Sequence, residues 1–385
     1  MKISLHEPRI TQNDIALVVE ALESQWVSTG GPFITQFESE LAQYSGFKHG
    51  VAVCNGSAGL MLAIDLVRRE RKITGAFHVI VPTLSFAATW NAVILSGGVP
   101  IPVDTAPGNV NISAASIELT LRSDFYSSGG RLVHNRTQLP LLSVLPAHIL
   151  GWVHDMDKIA ALCELNQLEL IEDAAESLGT RYLDGSHVGQ HGRCAVVSFN
   201  GNKILTTGGG GMLLTNDTPL AQRAKHLSTT AKIDNIRYVH DEPGYNFRMV
   251  NVLAALGVSQ LGSLQSNIDK KRTINSWYRN NFKGSSIVLY EQDTCLGNNW
   301  LNTVQFTSNS GREKAMERLH QVGVDARPLW TPFHRLRYCE KSVLNQDGYP
   351  NADQVWQTFL SLPSSPDLTK SQVDHICEVV LKLDF

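Results

Sequence analysis

No stretch of this 385-residue chain approaches the roughly 18 unbroken apolar side chains that a membrane span requires. The opening MKISLHEPRITQND has no apolar core of the secretory-signal kind. Runs of lysine and arginine are missing too. With 33 basic and 36 acidic residues the net charge is −3, so nucleic acid is not an expected partner. The six cysteines (54, 163, 194, 295, 339 and 377) never stand at CxxC spacing, and the 13 histidines include no HExxH. Together these gaps point to a cytoplasmic protein with reduced, mostly buried thiols, no disulfide framework and no metal. The NRT at 135–137 matches a glycosylation acceptor but carries no weight without secretion. Charged residues at 18% and hydrophobic residues at 43% describe an ordinary globular chain, long enough for two domains in contact.

Apolar runs and helical patterns alternate over the first 200 or so residues. GVAVCN (50–55) reads as a strand and SAGLMLAIDLVRRE (57–70) as the helix that follows it. VIVP, VPIPVD, LLSVL and LELIE read as further strands, with helical segments at 86–95 and 155–165 between them. Such alternation predicts an α/β domain with a mostly parallel sheet. Residues 105–139, polar and glycine-bearing, read as a surface excursion to which no chemistry is assigned. From Asn251 a long helical pattern opens a different region. Short strand-like pieces (287–290, 302–308, 324–330) and helices near 312–322 and from Lys370 predict a smaller C-terminal α+β domain. The expected division is 1–255 and 256–385.

The densest chemistry sits in IEDAAES (171–177) and VVSFNGNKILTTGGGGMLLT (196–215). Asp173 follows one apolar run, Ser198 closes another, and Lys203 comes a few residues later. Alone, Lys203 reads as a solvated loop lysine and Asp173 as a helix cap. Arriving together at strand ends, they are the parts that hold pyridoxal 5'-phosphate: an amine for the Schiff base, an acid for the pyridinium nitrogen, a hydroxyl for the phosphate. Four consecutive glycines, 208–211, exceed what a turn needs and predict close backbone approach to a cofactor or another chain. The turn at Gly56 and Ser57, opening a helix, is a candidate anion seat. Phe86, after another strand, is a candidate to lie on a cofactor ring.

These runs, with WVSTGGPFITQFESELAQYSG, NGSAGL, VPTLSFAATWNAV, GYNFRM (244–249) and NVLAALGVSQL, resemble the DegT/DnrJ/EryC1/StrS family of sugar aminotransferases over nearly the whole chain. RPLW…H (327–334) and NNW (298–300) are similar to members that aminate C4 of a UDP-linked 4-keto-6-deoxy-N-acetylhexosamine. The resemblance implies a fold-type-I, aspartate aminotransferase-like homodimer with active sites at the interface, serving bacterial glycan and lipopolysaccharide amino-sugar synthesis. By position, Lys203 is then the Schiff-base lysine and proton shuttle, Asp173 the partner of the ring nitrogen, and Glu176 a neighbour of the ring hydroxyl or the lysine. Phe86 stacks on the ring, while Ser57, Ala58 and Ser198 hold the phosphate. Asn246 reaches the partner's cofactor, and Arg248 meets the donor carboxylate or the nucleotide phosphate. Trp26, Trp300, Arg327 and His334 are further substrate candidates. L-Glutamate is the implied donor, returning as 2-oxoglutarate. Two other readings compete: a sugar dehydratase of the same family, whose members carry histidine in place of the lysine, and a non-catalytic sensor that keeps the fold. Lys203 and Asp173, both present, weigh against each.

Overall fold

The computed structural model describes residues 2–234, 236–341 and 348–383. Its largest sheet has seven strands: β1 (His49–Val53), β2 (His78–Pro82), β3 (Val99–Val103), β4 (Leu141–Val144), β5 (Glu169–Asp173), β6 (Cys194–Ser198) and β7 (Gly211–Thr215). They lie in the order β1-β7-β6-β5-β4-β2-β3, and β7 alone runs against the others. The middle strands are buried along their length because helices cover both faces. The helix Gly56–Glu70 lies so close that a Cβ on Gly59 would sit 2.7 Å from Val196.

The helix Asn251–Phe282 ties two cores together. Ala254, Ala255, Leu264 and Ile268 pack into the core beside the large sheet, where the Phe37 ring rests on Gly257. Further along, Ile274, Tyr278 and Phe282 enter a second core with Val304, Leu360, Leu362, Ile376 and Val380. That second core lies against a four-stranded antiparallel sheet of Val288–Leu289, Asn302–Gln305, Phe359–Leu362 and Arg327–Pro328. This is the fold-type-I arrangement: a large α/β part with a mostly parallel sheet and a smaller C-terminal α+β part. Among the described residues no helix is long and apolar enough to cross a membrane.

The reading of 105–139 as a surface excursion is corrected. A helix, Ala114–Asp124, opens on a capping box at Ser113, and a hairpin pairs Phe125–Ser128 with Arg131–His134. Val110, Ile112, Ile117, Leu121 and Phe125 are buried in the main core. The apolar residues are few, but Ile117 and Leu121 stand one helical turn apart and share a face.

Two buried histidines make the fold sensitive to acid. His187 accepts from the Gly179 N–H at Nε2 (2.8 Å) and donates from Nδ1 to the Val188 carbonyl. His78 is held likewise, between the Val99 carbonyl and the Thr137 hydroxyl. Burial lowers each pKa from 6.5 to about 4. A base whose folded pKa is depressed contributes stability that is full above its unfolded pKa and is lost as pH falls through the folded one. The melting temperature should therefore fall between about pH 6.5 and pH 4, with each histidine contributing at most on the order of 3 kcal/mol. Thermal melts of His187→Gln should show a flatter pH dependence across that window; an unchanged slope would remove His187 from the account.

Candidate functional site

In a parallel sheet the ends of the carbonyl-directed strands open onto one crevice. Here β5 ends in Asp173, β6 ends in Ser198, β1 feeds the turn at Gly56–Ser57, and Phe86 follows β2. These residues, with Glu176, Lys203 and Trp300, line one cavity of about 260 Å³.

Lys203 stands on a turn closed by its own N–H on the Asn200 carbonyl (2.9 Å), and the buried Ile204 and Leu205 anchor the chain after it. Its Nζ lies 3.5 Å from Glu176 Oε1 and 4.1 Å from the centre of the Trp300 ring, and the side chain is only 10% exposed. Glu176 Oε2 accepts the Leu150 N–H at 2.8 Å. Burial pushes the Glu176 carboxyl above its usual range, opposed chiefly by the Lys203 ammonium. Leu150 can aim its N–H there because it adopts a left-handed conformation, φ 59°. Asn111 supports that turn from both sides, accepting from Ile149 N–H and donating to the Trp152 carbonyl, both at 3.0 Å. The segment expected to carry no chemistry therefore shapes the surroundings of Glu176.

Asp173 accepts from the Thr89 hydroxyl (2.7 Å) and from Ala175 N–H (3.2 Å), and Ser85 bonds Thr89 in turn (2.7 Å). Burial raises its pKa, and these hydrogen bonds lower it less. A cationic N–H brought against this carboxyl would favour its charged form.

At the other end of the cavity the helix Gly56–Glu70 begins. Its cap, Asn55, takes the Ala58 N–H at 2.8 Å. The N–H groups of Gly56 and Ser57 belong to the first turn, where a helix offers no internal acceptor. They are free to donate to an anion there, and Ser57 and Ser198 line the same end of the cavity. The glycine run is explained by close approach within the chain itself. A Cβ on Gly211 would lie 2.8 Å from Asn55 C and Gly56 N, and one on Gly210 would lie 2.3 Å from Met249. Gly208 needs its φ of +78°, whereas Gly209 meets no crowding.

The remaining expected residues lie apart from this cavity. Ala58 is buried behind the turn, and Asn246 is exposed, bridged to Thr229. Arg248 pairs with the end of β1 at Val53, and Trp26 is 58% exposed. Arg327 points outward onto Asp325. His334 is spent on Thr83 and Asp353 and stacks on Tyr349, so it braces the fold.

Sequence reasoning missed Trp330, which lines the cavity, stacks on Trp300 with planes 10° apart, and meets Phe86 edge-on at 6.3 Å. The RPLW motif contained it, but its arginine drew the attention. His148 also lines the cavity, tied to the fully buried Glu172 at 2.7 Å. Nothing in PAHILG marked it. His187 and His191 stand four residues apart, yet the first is bound within its own loop and the second bonds Asp157. Among the described residues only His226, Asp241 and Glu242 converge as metal ligands would, and Arg69 and Arg223 already hold Glu242.

Gly211→Ala should drive a methyl group into the backbone at Asn55–Gly56 and displace the helix start. An absorbance titration should show affinity for pyridoxal phosphate falling at least tenfold, with the uncrowded Gly201→Ala within twofold of the parent. Equal affinity in Gly211→Ala would mean that the helix start does not seat the phosphate.

Comparison with known proteins was made over the whole chain. Residues 8–381 match the pattern of the DegT/DnrJ/EryC1/StrS aminotransferase family. EpsN of Bacillus subtilis (strain 168), described as a pyridoxal phosphate-dependent aminotransferase, is 32% identical over 99% of this chain and 96% of its own. The GDP-perosamine synthase of Caulobacter vibrioides is 32% identical over 97% and 96%. The UDP-4-amino-4,6-dideoxy-N-acetyl-beta-L-altrosamine transaminase of Campylobacter jejuni is 26% identical over 99% and 97%. Among solved structures, DesI in the presence of its TDP-sugar product is similar with a TM-score of 0.85 at 26% identity, covering 98% of this chain and 92% of that one. Spr1654 of Streptococcus pneumoniae, solved in its PLP form, shares the fold with a TM-score of 0.87 at 21% identity, covering 99% and 97%.

Proposed function

Because the chain belongs to the DegT/DnrJ/EryC1/StrS aminotransferase family, and is a pyridoxal-phosphate-dependent aminotransferase of nucleotide-linked sugars, we propose that it moves the amino group of L-glutamate to the C4 ketone of a nucleotide-linked 4-keto-6-deoxy sugar. One observation carries this reading: the Lys203 amine, the Asp173 carboxyl and the helix start at Gly56–Ser57 line a single cavity. The cofactor's functional groups fit these residues. Lys203 would meet its aldehyde, Asp173 its ring nitrogen and the helix start at Gly56–Ser57 its phosphate, with Phe86 and His148 lining the same cavity. Bound pyridoxal phosphate supplies an exchangeable carbonyl and an electron sink.

The protein's own groups do the rest. Lys203 Nζ holds the cofactor and, once released, takes and returns the proton that moves during amine transfer. Glu176, 3.5 Å away, would accept a hydrogen bond from that amine, and its anchor on Leu150 N–H keeps it from swinging away. Asp173, oriented by Thr89 and Ser85, favours a protonated ring nitrogen. Trp300 and Trp330 keep water from Lys203. Asn246 and Arg248, outside the cavity of their own chain, serve the site of a second subunit in a homodimer. Two relatives support C4 and the donor: the C. jejuni transaminase and the UDP-4-amino-4-deoxy-L-arabinose–oxoglutarate aminotransferase of Shewanella sediminis are both named for 4-amino sugars, and the second also for oxoglutarate. The nucleotide is taken as UDP, with the product entering a bacterial surface glycan. A GDP-linked substrate is the second reading, favoured by three GDP-perosamine synthases at 29–32% identity.

The loaded protein should absorb in the visible range, lose that band on adding glutamate, and recover it with a 4-keto sugar nucleotide; Lys203→Ala should lower turnover at least a thousandfold. A panel of UDP-, GDP- and dTDP-linked 4-keto sugars identifies the substrate, and turnover with none of them would sink the proposal. Mixing Lys203→Ala with Asn246→Ala should restore up to a quarter of the parent activity. That recovery requires Asn246 to act on the other subunit's site, and no recovery would place it elsewhere.

A further inference from the structure

Every polar atom of Trp300 is tied. Its N–H donates to Asn298 Oδ1 at 2.9 Å, its indole N–H to the Asn202 carbonyl at 2.6 Å, and its carbonyl accepts from Lys271 Nζ at 3.1 Å. The residue before it, Asn299, holds a left-handed φ of 52°, a conformation that persists where its surroundings enforce it. The indole so placed covers the Lys203 amine at 4.1 Å and stacks on Trp330.

Lys271 is unusual among these ties. It sits in the middle of the helix Asn251–Phe282 and is fully buried. Its donors go to two carbonyls, those of Trp300 and Ser364, and among the described residues no carboxylate pairs with it. Burial brings its pKa down to about 7. His6, half-buried and within electrostatic reach of both Lys271 and Lys203, is held toward its neutral form by desolvation and by those two like charges. An apolar side chain would pack at such a position without the desolvation cost. What lysine adds is a donor long enough to reach the Trp300 carbonyl from the helix that joins the two cores.

We propose that Lys271 is a positioning residue for the reaction: by holding the Trp300 carbonyl it sets the indole over Lys203 and keeps that amine beside Glu176. This rests on Lys203 being the reacting amine. Lys271 does not line the cavity and reaches it through Trp300; its other tie, to the Ser364 carbonyl, lies outside the cavity lining. Loss of the tie leaves the Trp300 carbonyl without its buried donor, so the loop relaxes from its left-handed turn and uncovers Lys203.

The first test uses cofactor-free protein and an amine-directed acylating reagent, with labelling of each lysine followed by mass spectrometry. In Lys271→Met, Lys203 should label at least threefold faster than in the parent, with the exposed Lys382 unchanged. Trp300→Leu should have the same effect with Lys271 in place. In the loaded enzyme, Lys271→Met should lower kcat about tenfold and leave the KM for the donor within twofold. Should K271M not fold, Lys271→Gln, shorter and able to serve one carbonyl at most, should label Lys203 at least twofold faster. A parent-like labelling rate in whichever variant folds, whatever its melting temperature, overturns the proposal. Turnover surviving in Lys203→Ala would overturn the reading of Lys203 instead, independently of the labelling result.

Discussion

The contact on which the site depends is the Lys203 amine held between a carboxylate and an indole face. At 10% exposure it has little contact with water, so its neighbours fix where it sits. Glu176 offers opposite charge at 3.5 Å, and the Trp300 ring offers its π face. Neither could stay in place alone. Glu176 is fixed by the N–H of a left-handed leucine, and that turn is fixed by Asn111. Trp300 is fixed through Asn298, whose amide also donates to the carbonyls of Glu176 and Leu178. The pieces interlock closely enough that a Cβ on Gly151 would lie 2.2 Å from Asn298 Oδ1. Glu176 and Trp300, 124 positions apart in sequence, therefore cannot move independently.

Two buried carboxyls line this one cavity. Asp173 and Glu176 are both pushed toward the neutral form, each by desolvation first. Lys203 and, for Asp173, His148 favour the charged forms but offset burial only in part. A cationic N–H placed against Asp173 would favour the charged form of that carboxyl.

Part of this was legible in the sequence because strand ends announce themselves. An apolar run that stops in Asp173 or Ser198 puts a polar group at the sheet's edge, and the alternation with helices says which edge. The glycine run was legible as crowding, although the crowding partners proved to lie within the chain itself, at the Asn55–Gly56 turn and at Met249. Residues 105–139 were misread because their work is done by asparagines. Asn111 substitutes for backbone partners of a loop some 40 positions away, and no periodicity records that. His334 and Arg327, to which the motif directed attention, lie outside this cavity. Polar residues in a motif attract functional readings, yet one is a brace and the other an exposed ion pair, while Trp330 between them faces the cavity.

The two ends of the cavity use different materials, and their tasks account for the difference. A phosphate keeps its charge throughout the reaction, so rigid backbone suits it. The N–H groups of Gly56 and Ser57 are held by a helix packed against the sheet and carry no side-chain entropy into binding. The Lys203 end handles protons that come and go, so it needs groups whose protonation can change and whose positions must not. Titratable side chains supply the first property and lack the second. Aromatic packing and backbone donors supply the second, which is why Trp300, Trp330 and Leu150 surround the titrating pair. Both tryptophans come from the C-terminal part and the strand ends from the N-terminal part. The helix Asn251–Phe282, packed into both cores, keeps the two sets of groups in register across the cavity.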